Sequence, residues 1–290
     1  MGTVVTIQVA GSCNEAGLDI AIDRAFGWFH EIEQRCTRFN EHSELMQLCS
    51  QPGVPVPASA ILFEAVRFAL MVADLTGGAF DPTVGHRMQA RGFNREHSTG
   101  EPLRNKAECD DAVSYRDVEL DPVRSTITLR RPLMLDLGAV AKGLAVDAAA
   151  RDLVPFKNFV IDAGGDLYLG GLNERGAPWS VGIRHPRNDN ELIATLKVSN
   201  QGVCTSGDYE RRTPDGEHHI LDSRTGMSPQ TVASATVVAS GAMLADALAT
   251  AIFVLGPQDS IPLLDRLGVD GLIVTPDLQR YETRGLRYAA

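Results

Sequence analysis

Asp246 and Thr250 stand one helical turn apart in SGAMLADALATAIFVLG, the run from Ser240 to Gly256. Both carry hard oxygen donors, and four-residue spacing puts them on one helix face. The run opens on a capping-type Ser and stops at a Gly, so a helix is expected, apolar all round and therefore buried. An ionised carboxylate there is costly unless positive charge compensates it. Two arrangements meet that demand. A cation could sit on Asp246 and Thr250, or Asp246 could pair with an Arg or Lys while Thr250 bonds back to its own helix. Taken alone, the helix favours the ion pair slightly.

Four further knots interrupt apolar runs. In LDLGAVAKGLAVDAAA, Leu135 to Ala150, Asp136 ends a strand, Gly138 allows a tight turn and Lys142 falls in the first turn of the next helix. A helix N-terminus disfavours Lys unless an anion lies beside it, so Lys142 and the free N–H groups could bind a phosphate or pyrophosphate. In TGGAFDPTVG, Thr76 to Gly85, a helix end and a turn are sufficient explanation. The sharper alternative is a backbone-lined slot for a flat ligand, with Asp81 as acceptor. DAGGD, within Val160 to Gly171, reads as a Gly bulge or as an anion-binding nest. CTSGDYERR and GEHHILDSRTG flank a hairpin-like turn at 213–216, and His218 and His219 alternate, so only one can face a given pocket. HExxH, GxSxG, the P-loop pattern and a Cys/His nucleophile signature are all missing, which excludes the common protease and esterase classes.

The elements that must hold these residues follow from periodicity. Thr3–Val9 alternates as a strand, and Asn14 to Arg35 places Leu18, Ile22, Ala25, Phe26, Phe29 and Ile32 on one helix face. A polar loop over Cys36–Val56 precedes a helix capped by Ser59, with Leu62, Ala65, Val66, Ala69 and Ala73 inward. Residues 86–115 read as a polar excursion, and Ser114–Leu135 as strands. A helix is expected over Gly143–Val154, strand and turn over Asn158–Gly171, and a hairpin from Trp179–Arg184 and Leu192–Val198. Ser234–Val238 is a strand, Ser260–Leu267 a helix and Gly271–Thr275 the last strand. Strand meanders between long helices predict an α+β fold, antiparallel sheets flanked by helices. The 290 residues are expected to form one unit, 1–290, or two lobes, with the polar excursion at about 86–115.

Bulk composition narrows the partners. A formal charge of −10 leaves no basic surface for sequence-independent binding of nucleic acid or anionic membrane. Five dispersed cysteines (Cys13, Cys36, Cys49, Cys109, Cys204) without CxxC spacing read as free thiols of a reducing compartment. No apolar run is long enough to span a bilayer, and no secretory h-region opens the chain. The start MGTVVT fits a loose myristoylation pattern, but its strand-like alternation outweighs that match. A cytoplasmic location is expected for the chain as it stands, and a periplasmic one if a signal or lipid anchor has been removed.

In this order, MGT, RFNEHSEL, TGGAFDPTVG, LDLGAVAKGLAVD, DAGGDLYLGG, TSGDYERR, HHILDSRTG and the ADALAT helix ending in VLG resemble the ApbE family of FAD:protein FMN transferases. The pieces span Met1 to about Gly256. The resemblance implies a T-fold-like architecture and Mg²⁺-dependent transfer of FMN from FAD onto a Thr or Ser hydroxyl of a target flavoprotein, releasing AMP. Two alternatives are a Mg²⁺-dependent FAD pyrophosphatase giving FMN and AMP, and a non-catalytic FAD-binding module. By the same resemblance Asp246, Thr250 and the carbonyl of Ala139 are magnesium ligands, in keeping with the metal's preference for oxygen. Met1, Phe39, Ala79, Phe80, Asp81, Asp136, Lys142 and His219 are then FAD-contacting positions, Phe39 as a stacking ring. His219 or Asp136 is the candidate group to orient or deprotonate the acceptor hydroxyl. Two departures stand out: the chain lacks the upstream signal and anchor Cys usual in the family, and Ser223 stands where Pro is frequent.

Overall fold

The alternating and helical periodicities resolve into twelve strands and seven α-helices in the computed structural model, which describes residues 2–11, 17–95, 100, 103, 112–213 and 217–289. In chain order they are β1 (Val5–Val9), α1 (Leu18–Cys36), α2 (Glu44–Cys49), β2 (Val56–Pro57), α3 (Ala60–Leu75), α4 (Gly85–Ala90), β3 (Val118–Asp121), β4 (Thr126–Leu129) and α5 (Gly138–Leu153). Then follow β5 (Phe159–Ala163), β6 (Asp166–Gly170), β7 (Trp179–His185), β8 (Asn188–Val198), β9 (Gln201–Gly207), β10 (Ser234–Ala239), α6 (Ala242–Leu255), α7 (Pro257–Leu267), β11 (Asp270–Val274) and β12 (Arg280–Glu282).

A seven-stranded antiparallel sheet, ordered β1-β5-β6-β9-β10-β11-β12, forms the spine. Period-two alternation divides its side chains between two cores. Phe159, Ile161, Cys204, Ala235 and Val237 join α1, α3, α5 and α6 on one face. Val160, Leu169, Val203 and Val238 meet Trp179, Val181, Ile183, Leu196 and Val198 of the β7–β8 hairpin on the other. A small sheet, β2-β4-β3, completes the helical side. The α+β architecture with antiparallel sheets is as the pattern predicts.

Five features differ from the sequence expectation. The expected loop over Cys36–Val56 contains α2, whose Ser43 cap and buried Leu45, Met46, Leu48 and Cys49 form a helix too short to show a full period. The α5 helix begins at Gly138, because Gly143 is not a start signal but a crossing point. A Cβ on Gly143 would lie 2.5 Å from Met243 Cα and 2.6 Å from the Ala242 carbonyl. Ser240 does not cap α6. Asp147 of α5 does so from across the interface, its Oδ1 accepting from Ala242 N at 2.7 Å and its Oδ2 from Met243 N at 3.0 Å. The α7 helix starts at Pro257, where Pro suits a first turn, and β12 rather than β11 ends the sheet. Cys36, Cys49 and Cys204 are buried and form no disulfide among the described residues. Cys13, Cys109, the first residues of the expected 14–35 helix, the turn at 214–216 and part of the 86–115 excursion lie outside the described residues.

The helical glycines Gly27 and Gly143 should respond to Ala with opposite signs. Gly27 has nothing within 4 Å of an added Cβ, so Gly27→Ala should stabilise by ~0.5–1 kcal/mol through helix propensity alone. Gly143→Ala must push α5 and α6 apart and should cost ~1–3 kcal/mol. Denaturant unfolding midpoints of the two variants check the pair.

Candidate active site

The α5–α6 crossing that Gly143 permits decides which side chains meet. Ala139 and Lys142 on α5 face Asp246 and Thr250 on α6, with β6 and β9 beneath them. A cavity of about 1140 Å³ opens there, larger than an ordinary small-ligand pocket. Phe39, Ala79, Phe80, Asp81, Asp136, Ala139, Lys142, His219, Asp246 and Thr250 all line it. Met1 lies outside the described residues.

Its deepest corner carries more carboxylate than positive charge. Lys142 Nζ lies 2.8 Å from Asp166 Oδ2, and Asp246 is close enough to act on both. Asp166 and Asp246 are 2% and 7% exposed, so one ammonium faces two carboxyls in a site with little water. Among the described residues neither Asp166 Oδ2 nor Asp246 Oδ2 has an aligned hydrogen-bond donor. Burial first and the Asp166 charge second push the Asp246 carboxyl well above its usual range, against the pull of Lys142. Burial works to lower the Lys142 pKa, yet the two carboxylates outweigh it and the ammonium is held more firmly than usual. Thr250 Oγ1 is 3.2 Å from Ser206 Oγ on β9. Both readings of Asp246 are thus partly realised: a lysine is present, but it is shared. The Asp246 oxygen without a donor and the neighbouring Thr250 hydroxyl are oxygen ligands of the kind a hard divalent cation takes. Lys142 itself lies in the second turn of α5, not the first, since the helix begins at Gly138.

Asp136 sits at the helix entrance, where its Oδ1 accepts from Gly138 N at 2.8 Å and its Oδ2 from Arg38 Nε at 2.7 Å. Burial would raise its pKa, but Arg38, the Gly138 N–H and Arg211 more than reverse this and hold the carboxyl below the usual range. The same Arg38 donates to the Phe93 carbonyl at 2.6 Å, and its guanidinium stands 4.3 Å over the Phe39 ring. Asp81 serves as an anchor: its Oδ1 accepts from Thr83 N and Oγ1 at 2.9 and 2.7 Å, its Oδ2 from Tyr115 N at 3.0 Å. That anchorage fixes the wall formed by Ala79 and Phe80.

The histidine pair divides between core and cavity, although the expected strand is absent among the described residues: His218 forms only an isolated bridge with Arg212 and His219 lies in a bend. His218 is 3% exposed, bonded to the Pro229 carbonyl at 2.9 Å and set edge-on to Phe253, so it belongs to the core. His219 lines the cavity, edge-on to Phe93, with Nδ1 3.3 Å from the Glu210 carbonyl. A carbonyl only accepts, so the ring proton resides on Nδ1 and Nε2 is left as acceptor. Burial, then the Arg211 charge, push the His219 pKa down to about 4, which keeps the ring neutral at pH 7. The following turn is bolted in place: Ser223 Oγ donates to the Gly78 carbonyl, Arg87 to the Ser223 carbonyl and Arg91 Nη1 to the Gly226 carbonyl. Ser223, the departure from Pro, therefore ties the His219 turn to the Ala79–Phe80 wall. Sequence reasoning did not single out Arg38, Asp166, Ser206 or Arg211. Asp166, second acid of DAGGD, was legible as a motif, but its lysine partner was not.

Comparison with known proteins gives the family and the fold. The model of the ApbE family matches residues 1–273, and the chain belongs to that family. It is 31% identical to the FAD:protein FMN transferase of Treponema pallidum, over 99% of this chain and 85% of that protein. The same-named protein of Haemophilus influenzae is 30% identical, over 81% of this chain and 72% of its own. Among solved structures, the ApbE protein of Thermotoga maritima superposes with a TM-score of 0.86 at 30% identity, covering 98% of this chain and 94% of that one. The flavin transferase ApbE of Vibrio cholerae gives 0.81 at 27% identity, with coverage of 98% and 94%.

Because His219 is neutral when folded down to about pH 4 but takes a proton near 6.5 when unfolded, its contribution to stability is complete above pH 6.5. It is lost as pH falls towards 4. His219→Gln should therefore flatten the fall of unfolding free energy across that window, read by urea titrations at pH 7 and pH 4.5.

Proposed function

We propose that this member of the ApbE family transfers FMN from FAD onto a Thr or Ser hydroxyl of an acceptor flavoprotein and releases AMP. The observation that carries the reading is the joining, in one cavity, of the carboxylate-rich corner at Asp246 with a neutral His219 and an aromatic wall. Phe39 and Phe80 offer faces for a flat ring, and one face of Phe39 is already covered by Arg38. Lys142 gives the diphosphate a positive neighbour without leaving Asp166, since an ammonium has three donors. Asp246, Thr250 and the Ala139 carbonyl would hold a magnesium ion, whose bound charge would offset that of the diphosphate.

His219 is the better candidate for the proton acceptor. Asp136 is engaged by Arg38 and Gly138 and stays a weak base, whereas His219 presents an unprotonated Nε2. The acceptor oxygen bonds to the FMN-side phosphorus, the bridging P–O bond breaks towards AMP, and the hydroxyl proton passes to Nε2. A diphosphate beside the ring raises its basicity above that of the empty pocket. Asp136 and Arg38 then keep the cavity entrance in shape and do not titrate during turnover.

Two measurements test this. With FAD, Mg²⁺ and a Thr-containing flavoprotein fragment, covalent flavin and AMP should appear together. Free FMN formed at the same rate without the fragment would mark a pyrophosphatase, and intact FAD a storage module. In the absence of divalent cation, Asp246→Asn should stabilise the fold by about 1–3 kcal/mol by removing a buried carboxyl that competes with Asp166 for the one ammonium of Lys142. Mg²⁺ should raise the Tm of the parent chain and leave that of the variant unmoved.

A further inference from the structure

Five arginines line the cavity, and four of them are engaged by the protein itself. Arg38 pairs with Asp136, Arg95 donates to the Gly100 carbonyl, Arg184 pairs with Glu210, and Arg212 donates to the Asp208 carbonyl and pairs with its carboxylate. Arg211 alone has no hydrogen bond or ion pair among the described residues, in a chain whose acidic residues outnumber Lys and Arg by 37 to 27. Its charge reaches both Asp136 and His219. Its backbone is also unusual. At φ 42° it occupies the left-handed region, which is strained for a non-glycine residue, and among the described residues no hydrogen bond or ion pair of the side chain offsets that strain.

We infer that Arg211 grips the diphosphate of the dinucleotide, forming a second cationic pole opposite the one at Lys142. This rests on the reading of FAD as substrate. A guanidinium suits the role because its fork matches two phosphate oxygens and it stays charged beside His219. Its place next to His219 puts the grip at the phosphoryl group under attack, where charge accumulates as the bridging bond breaks. Keeping Arg211 unpaired leaves its donors for the ligand, whereas the other four arginines hold the walls.

The experiment is a fluorescence titration of the full chain with FAD and, separately, with riboflavin, which carries the same ring system but no phosphate, both without divalent cation. Arg211→Gly keeps the φ without strain and removes the guanidinium. It should melt at or above the parent temperature, weaken FAD about 10–100-fold and leave riboflavin unchanged. Arg211→Lys should recover part of the FAD affinity. Equal weakening of both ligands, a lowered melting temperature, or unchanged FAD affinity with a raised KM for the acceptor would each overturn the assignment. If the parent chain fails to bind FAD, the functional reading itself falls, and this inference with it. FAD binding that survives in Arg211→Gly removes only the inference.

Discussion

The close crossing of α5 and α6 is the constraint from which the site follows. With no side chain at Gly143, the backbone of α6 comes to rest against α5, and the same approach lets Asp147 bond the first N–H groups of α6. The two helices thereby exchange a cap and a contact surface. Lys142 and Ala139 on one, Asp246 and Thr250 on the other, are brought to a common cavity by that single juxtaposition. A bulkier residue at the crossing would separate the very groups that need to converge.

Charge is distributed over the cavity with a division of labour. The floor holds two carboxyls against one ammonium and is deficient in positive charge. The rim is rich in arginine, although the chain is acidic as a whole. A ligand bearing both an anionic centre and a divalent counter-ion complements this arrangement from both ends, whereas a ligand of either kind alone leaves one pole unmatched.

What the sequence disclosed depended on how local each cause was. The amphipathic faces of α1 and α3, the hairpin and the antiparallel class follow from spacing within single segments. Ten site positions fall together because eight motifs keep family order, a signal carried by the whole chain rather than by any one motif. The missed α2 was too short to show a period, whereas the failures nearest the site involve partners distant in sequence. Gly143 looks like a helix boundary unless Met243 is known to lie against it. Ser240 looks like a cap unless Asp147 is known to replace it. Arg38 and Asp136 are 98 residues apart, and no periodicity joins them. His219 against His218 was legible as an alternation, but which of the two faced inward required Phe253 and Phe93.

The central strand β9 contributes to both cores at once, Cys204 to the helical side and Val203 to the hairpin side, with Ser206 set opposite Ala235 of β10. Pairing with β10 therefore acts as a ruler for the site. A slip of one residue would turn Ser206 away from Thr250 and bring Thr205 or Gly207 to the floor, while exchanging every apolar side chain between the two cores. The penalty for such a slip falls on the whole hydrophobic interior. The placement of one hydroxyl beside the proposed cation corner is thus guarded by the packing of the entire molecule.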